Sequence, residues 1–166
     1  PPHVNRSAAA CLVEGGAVRI GLGYVRSVGV EEAKAIVAGQ PYDDVSDLAR
    51  RAQAGIDALE AVVSAGACDE WGPRRDLLWK LGATPRSTGS GQLVLPLEPT
   101  AETPELPGQT DWERMLADYR HTSMSVGVHP LELLRPHLPG VLTSAELADV
   151  PHGAQVAVAG MAIARQ

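Results

Sequence analysis

Ser27-Val28-Gly29, with Arg26 just before it and Lys34 one turn after it, is the stretch whose residue types could do chemistry. The apolar residues Ile20, Leu22 and Val25 predict a helix face that runs into this turn. Ala33, Ile36 and Val37 then predict one face of a second helix. Gly29 is expected to hold the turn because glycine takes a positive φ at no steric cost. A helix that starts beside such a turn presents backbone N–H groups and a partial positive charge, a combination that accepts phosphate oxygens. Helix, hairpin and helix in this order would grip a nucleic-acid backbone without reading bases. The same pattern also fits an αα-hairpin that only packs a core. Ser27 occupies a position where glycine would enter the left-handed region at lower cost. A second helix–turn–helix is expected around Ala65-Gly66-Ala67. There Asp69 and Glu70 would repel phosphate, so that copy reads as structural.

Other familiar chemistries find no support in the residues. There is no Asp-x-Asp pair, no phosphate-binding Walker loop and no triad-like arrangement, so no catalytic residue is assigned. Cys11 and Cys68 lack metal-ligand spacing and make no disulfide framework; they read as free, partly buried thiols. His121, His129 and His137 recur every eight residues, which does not align ligands on one helix face, so no metal site is expected. Gly127-Val128-His129-Pro130 reads as a turn with a structural His129. Trp71, Trp79 and Trp112 read as core or capping residues, because none sits in a basic cluster suited to base stacking.

Composition narrows the choices further. The 166 residues are 45% hydrophobic but only 4% aromatic, without Phe, so a core would be built of Leu, Val, Ile and Ala. The net charge of −6 divides into −1 for residues 1–86 and −5 for residues 87–166. A strong autonomous nucleic-acid binder carries a basic excess, because phosphate neutralisation and counterion release drive its affinity. Any DNA contact here is therefore expected to be weak, local and based on backbone amides, or one patch of a larger protein. All basic residues except Lys34 and Lys80 are Arg, as a GC-rich coding sequence would give. No secretory signal opens the chain and no apolar run approaches a membrane span, which points to the cytoplasm. A start without Met and a stop in mid-pattern at Arg165-Gln166 suggest a fragment.

The elements that must position these residues can be read in turn. The first compact region is expected from about Ala17 to Gly82. After a break at Gly39-Gln40-Pro41-Tyr42, helices are predicted over Asp44–Arg51, Ile56–Ser64 and Arg74–Leu81, the last opened by Pro73. Prolines 85, 96, 99, 104 and 107 and the run Thr88-Gly89-Ser90-Gly91 make a linker that holds one apolar island, Gln92 to Leu97. Thr110-Asp111-Trp112-Glu113 and Thr143-Ser144-Ala145-Glu146 fit the capping box, so helices are expected to begin there, with a short helix over Leu131–Leu134 between them. Residues 155–164 alternate with period two and predict a strand with a bulge or bend at Gly160, its pairing partners outside the chain.

Taken in order, PPHVNRS, VRIGLGYVRSVGVEEAKAIV and LEAVVSAGACDEWGPRRDLLWKLG resemble the region after the fingers of bacterial C-family replicative DNA polymerases. WERMLADYRHTSMSVGVHPLELLRPHLP is similar to that family's segment before its OB domain, in wording nearer to the error-prone, damage-inducible branch. AQVAVAGMAIARQ resembles the first OB strand. The resemblance implies a mainly α fold: a tandem helix-hairpin-helix over residues 1–83, a proline-rich linker over 84–109, a helical connector over 110–150 and an orphaned OB strand over 151–166. It implies a parent nucleotidyltransferase that copies damaged template, with magnesium held by palm carboxylates outside this chain. Arg26, Ser27, Val28, Gly29 and Lys34 become the expected contacts to duplex phosphates. Gln92, Leu93, Leu95 and Leu97 resemble a sliding-clamp docking peptide. A stand-alone DNA- or clamp-binding adaptor and a purely structural spacer are the rival readings.

Overall fold

The computed structural model describes residues 1–85, 104–125 and 127–162. The apolar island from Gln92 to Leu97, and with it the clamp-docking expectation, lies outside the described residues. So does the last part of the predicted terminal strand. The chain divides into two compact units, Pro1–Val126 and Gly127–Gln166.

The first unit begins earlier than the periodicity implied. Val4 is fully buried and donates its amide to Ala67 O at 2.8 Å, while the buried Ser7 hydroxyl donates to Ile20 O at 2.7 Å. Asn5 and Tyr42 exchange hydrogen bonds in both directions, at 2.7 and 2.8 Å. A β-hairpin then forms just ahead of the expected helix face. Strand β1 (Leu12–Glu14) pairs antiparallel with β2 (Ala17–Arg19), in a register that places Val13 opposite Val18. Gly15 and Gly16 both take positive φ, 58° and 79°, as a two-residue hairpin of this hand requires. Ile20, Leu22 and Val25 are buried as anticipated, but only Leu22–Tyr24 is helical, as one 3-10 turn.

Four helices complete the core: α1 (Val30–Ala38), α2 (Val45–Arg51), α3 (Ile56–Ser64) and α4 (Arg74–Ala83). Their boundaries follow local signals. Asp44 caps α2 by accepting from the Asp47 amide at 2.7 Å, and Arg50 and Arg51 sit at its negative end. Leu59, Val62 and Val63 of α3 pack with Leu48, Leu77, Leu81 and Ile36, an aliphatic core without aromatic rings apart from Tyr42 and the partly buried Trp71. Trp79 and Trp112, expected as core or cap residues, are instead about half exposed. Of the cysteines Cys11 is exposed, whereas Cys68 is fully buried, and burial pushes its thiol far above the ordinary value.

Helix α5 (Asp111–Thr122), expected in the connector, belongs to this first unit. Its capping box forms as read: Glu113 N donates to Thr110 Oγ1 at 3.2 Å, and Thr110 N donates to Glu113 Oε2 at 2.9 Å. Met115 is buried, and Asp118 receives the buried Arg74 at 2.7 Å.

In the second unit α6 (Pro130–Leu134) opens on His129, whose Nδ1 accepts from the Leu131 amide at 3.2 Å. The Thr143–Glu146 capping box also forms, at 2.7 and 3.2 Å, yet it opens only a 3-10 turn over Glu146–Asp149. The predicted terminal strand is shorter than its alternation suggested and does not lack a partner. Strand β4 (Ala157–Val158) pairs in parallel with β3 (Val141–Leu142), Val141 beside Ala157 and Leu142 beside Val158. Val156, Val158 and Met161 remain largely exposed, because no second apolar layer covers them among the described residues of this unit.

Candidate nucleic-acid interface

The first turn is anchored from beneath. Val25 and Val28 are buried, while Arg26, Ser27, Gly29 and Val30 face outward. The residue in the left-handed region is Ser27, at φ 69°. Gly29 is extended, at φ −69° and ψ 160°, and serves as the N-cap of α1. The expectation that Gly29 supplies the positive φ is thus corrected. The chain reverses two residues earlier, and serine carries a conformation that costs an L-residue about 1–2 kcal/mol.

The amides of this turn are only partly open. Val28 N donates to Val25 O at 3.1 Å, and Gly29 N donates to Glu32 Oε2 at 3.0 Å. A cradle centred on the Gly29 amide is therefore filled by the protein's own carboxylate. The amides of Ser27, Val30 and Glu31 have no protein partner among the described residues. Lys34 is exposed but paired with Glu31 at 2.7 Å, so its charge is partly engaged already. Arg26 has no ion pair among the described residues. Its amide donates to His121 O at 2.8 Å and its Nη2 to Ser123 Oγ at 3.2 Å, so the C-terminal turn of α5 holds it in place.

Glu32 makes a second contact that the sequence pattern did not disclose. Its Oε1 accepts from Gly55 N at 2.9 Å. Gly55 is the N-cap of α3, with φ −64° and ψ 156°, nearly the angles of Gly29. One carboxylate thus bridges two helix N-termini, and the Gly29 and Gly55 amides hold its carboxyl below the usual carboxylate range. The bridge identifies the true second copy of the hairpin. It is α2, Ala52–Gly55 and α3, not the segment around Gly66. The signal was present as a second Gly opening an apolar run, Gly55-Ile56, but the break before it lacks an obvious turn dipeptide.

The Ala65-Gly66-Ala67 segment has a different use. It is buried, Gly66 has φ 82°, and a β-carbon there would collide with the Arg74 guanidinium. The Arg74 side chain, 6% exposed, donates to Ser64 O at 2.9 Å and pairs with Asp69 at 2.8 Å and Asp118 at 2.7 Å. Burial works against its charge, and the two carboxylates more than offset that. Arg74 therefore ties α4, the α3–α4 connection and α5 together. A cavity of roughly 350 Å³ nearby is lined by Arg75, Asp76, Gly108, Gln109 and Arg114, but Arg75 is already spent on Pro107 O and Glu113 at 2.7 Å each. Among the described residues no three His, Cys, Asp or Glu side chains converge as a metal would need, and no helix is long and apolar enough to cross a membrane.

Comparison with known proteins agrees with this architecture. A family described as a helix-hairpin-helix motif matches residues 1–78. Proteins named error-prone DNA polymerase match almost every residue of the chain. That of Corynebacterium diphtheriae is 36% identical over 167 residues, which covers 99% of this chain and 16% of the relative. Those of Nocardia farcinica and Mycobacterium tuberculosis are also 36% identical, over 182 and 174 residues, with the same coverage. The chain thus spans about a sixth of the length of these relatives.

Proposed function

We propose that this chain, which corresponds end to end to one segment of the error-prone C-family DNA polymerases, holds the phosphate backbone of duplex DNA for such an enzyme. The parent activity, template-directed nucleotide addition across damage, would rest on carboxylates and magnesium outside these residues. The observation that carries the reading is Arg26. Among the described residues it is a cation without an ion pair, pinned at the tip of the first turn beside the open amides of Ser27, Val30 and Glu31. Cation and amides on one small surface can take a single phosphate group without base contacts. The anionic balance of the chain and the Glu31–Lys34 pair both argue for a weak, positioning contact, suited to a module whose reach is supplied by its neighbours.

Titration of a fluorescent duplex with the 166-residue chain at low salt tests this directly. The wild-type chain should bind with an affinity that falls as salt rises. Ser27→Asp suits the left-handed position, which aspartate tolerates, and sets a carboxylate among the donors. It should abolish the shift while the chain still melts cooperatively. Equal binding by the wild-type chain and Ser27→Asp would assign the turn to packing alone and favour the spacer reading.

A further inference from the structure

We infer that the C-terminal turn of α5 is a second phosphate-binding element for duplex DNA, acting through Arg120 and continuous with the first turn. This rests on the duplex-binding reading above. In the first unit, the described cations without an ion pair are Arg26, Arg50, Lys80 and Arg120. Two of them lie on segments that hydrogen bonds join. Arg26 is bonded through its amide to His121 O and through its guanidinium to Ser123 Oγ, and Arg120 is the exposed neighbour of His121 on the same turn. Burial first, and then the positive charges of Arg120, Arg74 and Arg26, push the His121 imidazole below its ordinary value. Arg74 is paired with both Asp69 and Asp118, a group that sums to −1, so Arg26 and Arg120 leave the cluster with a net positive charge.

The anions that could cancel this charge are engaged elsewhere. Asp118 holds Arg74 and accepts from Ser125 Oγ at 3.2 Å, and Glu31 holds Lys34. Ser123 closes α5 in the left-handed region, at φ 58°, and its hydroxyl fixes the direction of Arg26. A helix C-terminus also attracts cations for its own stability. That role alone would make Arg120 matter to folding and not to salt-dependent binding. In a chain of net charge −6, two arginines without an ion pair on joined segments suit the closely spaced charges of a duplex.

The test compares Arg120→Gln, Arg120→Lys and Lys80→Gln in the full 166-residue chain, titrated with a short duplex over a range of salt. Each variant is melted in parallel. Loss of one phosphate contact should lower the slope of log affinity against log salt by about 0.9 in Arg120→Gln. Arg120→Lys should keep most of the slope, and Lys80→Gln, with the same change of charge on α4, should keep all of it. An Arg120→Gln chain with the wild-type slope would overturn the inference, with or without a lower melting temperature. So would an equal loss in Lys80→Gln. If Ser27→Asp still abolished binding, duplex binding by the first turn would survive that result. Absence of any salt-dependent binding by the wild-type chain would remove both readings together.

Discussion

The turns Val25–Gly29 and Ala52–Gly55 are two versions of one device, and they differ where chemistry is concerned. Both leave a helical turn through an extended residue, Val25 at φ −70° and Ala52 at φ −71°. Both end on an extended glycine that opens a nine-residue helix, and both donate that glycine's amide to Glu32. The first turn, however, is one residue longer, and Ser27 stands in the left-handed region there, whereas no residue of the second turn does. The first projects Arg26 and is followed by Lys34. The second carries Gln53, and Glu60 stands where the helix register of the first has Lys34. The first abuts α5 through main-chain hydrogen bonding, Arg26 N to His121 O. The repeat supplies the scaffold, because burying two like helix pairs against each other needs only matching apolar faces. Charge and an extra turn residue are free to differ, since they lie outside the core.

The strongest way to break this asymmetry is to release α5. Arg74→Met leaves Asp118, which is largely buried, without its cation, and should destabilise the first unit by about 3 kcal/mol in urea melts. Duplex binding should weaken more than the stability loss at working conditions explains, because Arg26 loses its support. Unchanged binding would show that the first turn needs no buttress. Next in size is the bridge between the copies. Glu32→Ala removes two charge-assisted bonds and should cost about 1–2 kcal/mol. That difference has a defined pH dependence. The folded carboxyl is held below its ordinary value of 4.5, so its contribution is complete above that pH and fades as pH falls through the depressed value. The melts of wild type and Glu32→Ala should therefore converge in acid; a gap that persisted there would remove the bridge as its cause.

A smaller effect of opposite sign is expected at Ser27. Ser27→Gly relieves the left-handed cost and should stabilise the chain by about 1 kcal/mol, with the Arg26 contact retained. Destabilisation would mean that the serine side chain contributes something its exposed position does not reveal. The smallest change distinguishes the two turns directly. Glu60→Lys gives the second copy the cation of the first, and it should alter the salt slope of duplex binding by less than Lys34→Glu does. A larger gain in Glu60→Lys would place DNA across both turns.

Much of this architecture was legible before any coordinates. Helix α3 matches its predicted span, α2 and α4 differ by one or two residues, and the Thr110 capping box formed as written, because caps and apolar spacing are local properties. Three readings failed for reasons that are not local. The helix face expected over Ile20, Leu22 and Val25 narrows to one 3-10 turn, Leu22–Tyr24, which the chain enters from a β-hairpin closed by Gly15-Gly16. The second copy was sought at Gly66, which has the positive φ of a turn but surrounds a buried arginine. The strand expected over residues 155–164, with partners outside the chain, shortens to 157–158 and finds a parallel partner at 141–142, a pairing that no local pattern announces.

The amino-acid order by itself determined where α2 to α5 start, that the core is aliphatic, that the net charge is negative, and that Arg26 and Lys34 flank a reversal of the chain. Spacing and capping act over a few residues, so they can be read without knowing what lies across the molecule. Only the tertiary structure decided that Glu32 spans two helix N-termini and that α5 supports Arg26. Those facts depend on groups far apart in the chain meeting within about 3 Å, a distance at which hydrogen bonds form and at which sequence separation carries no information.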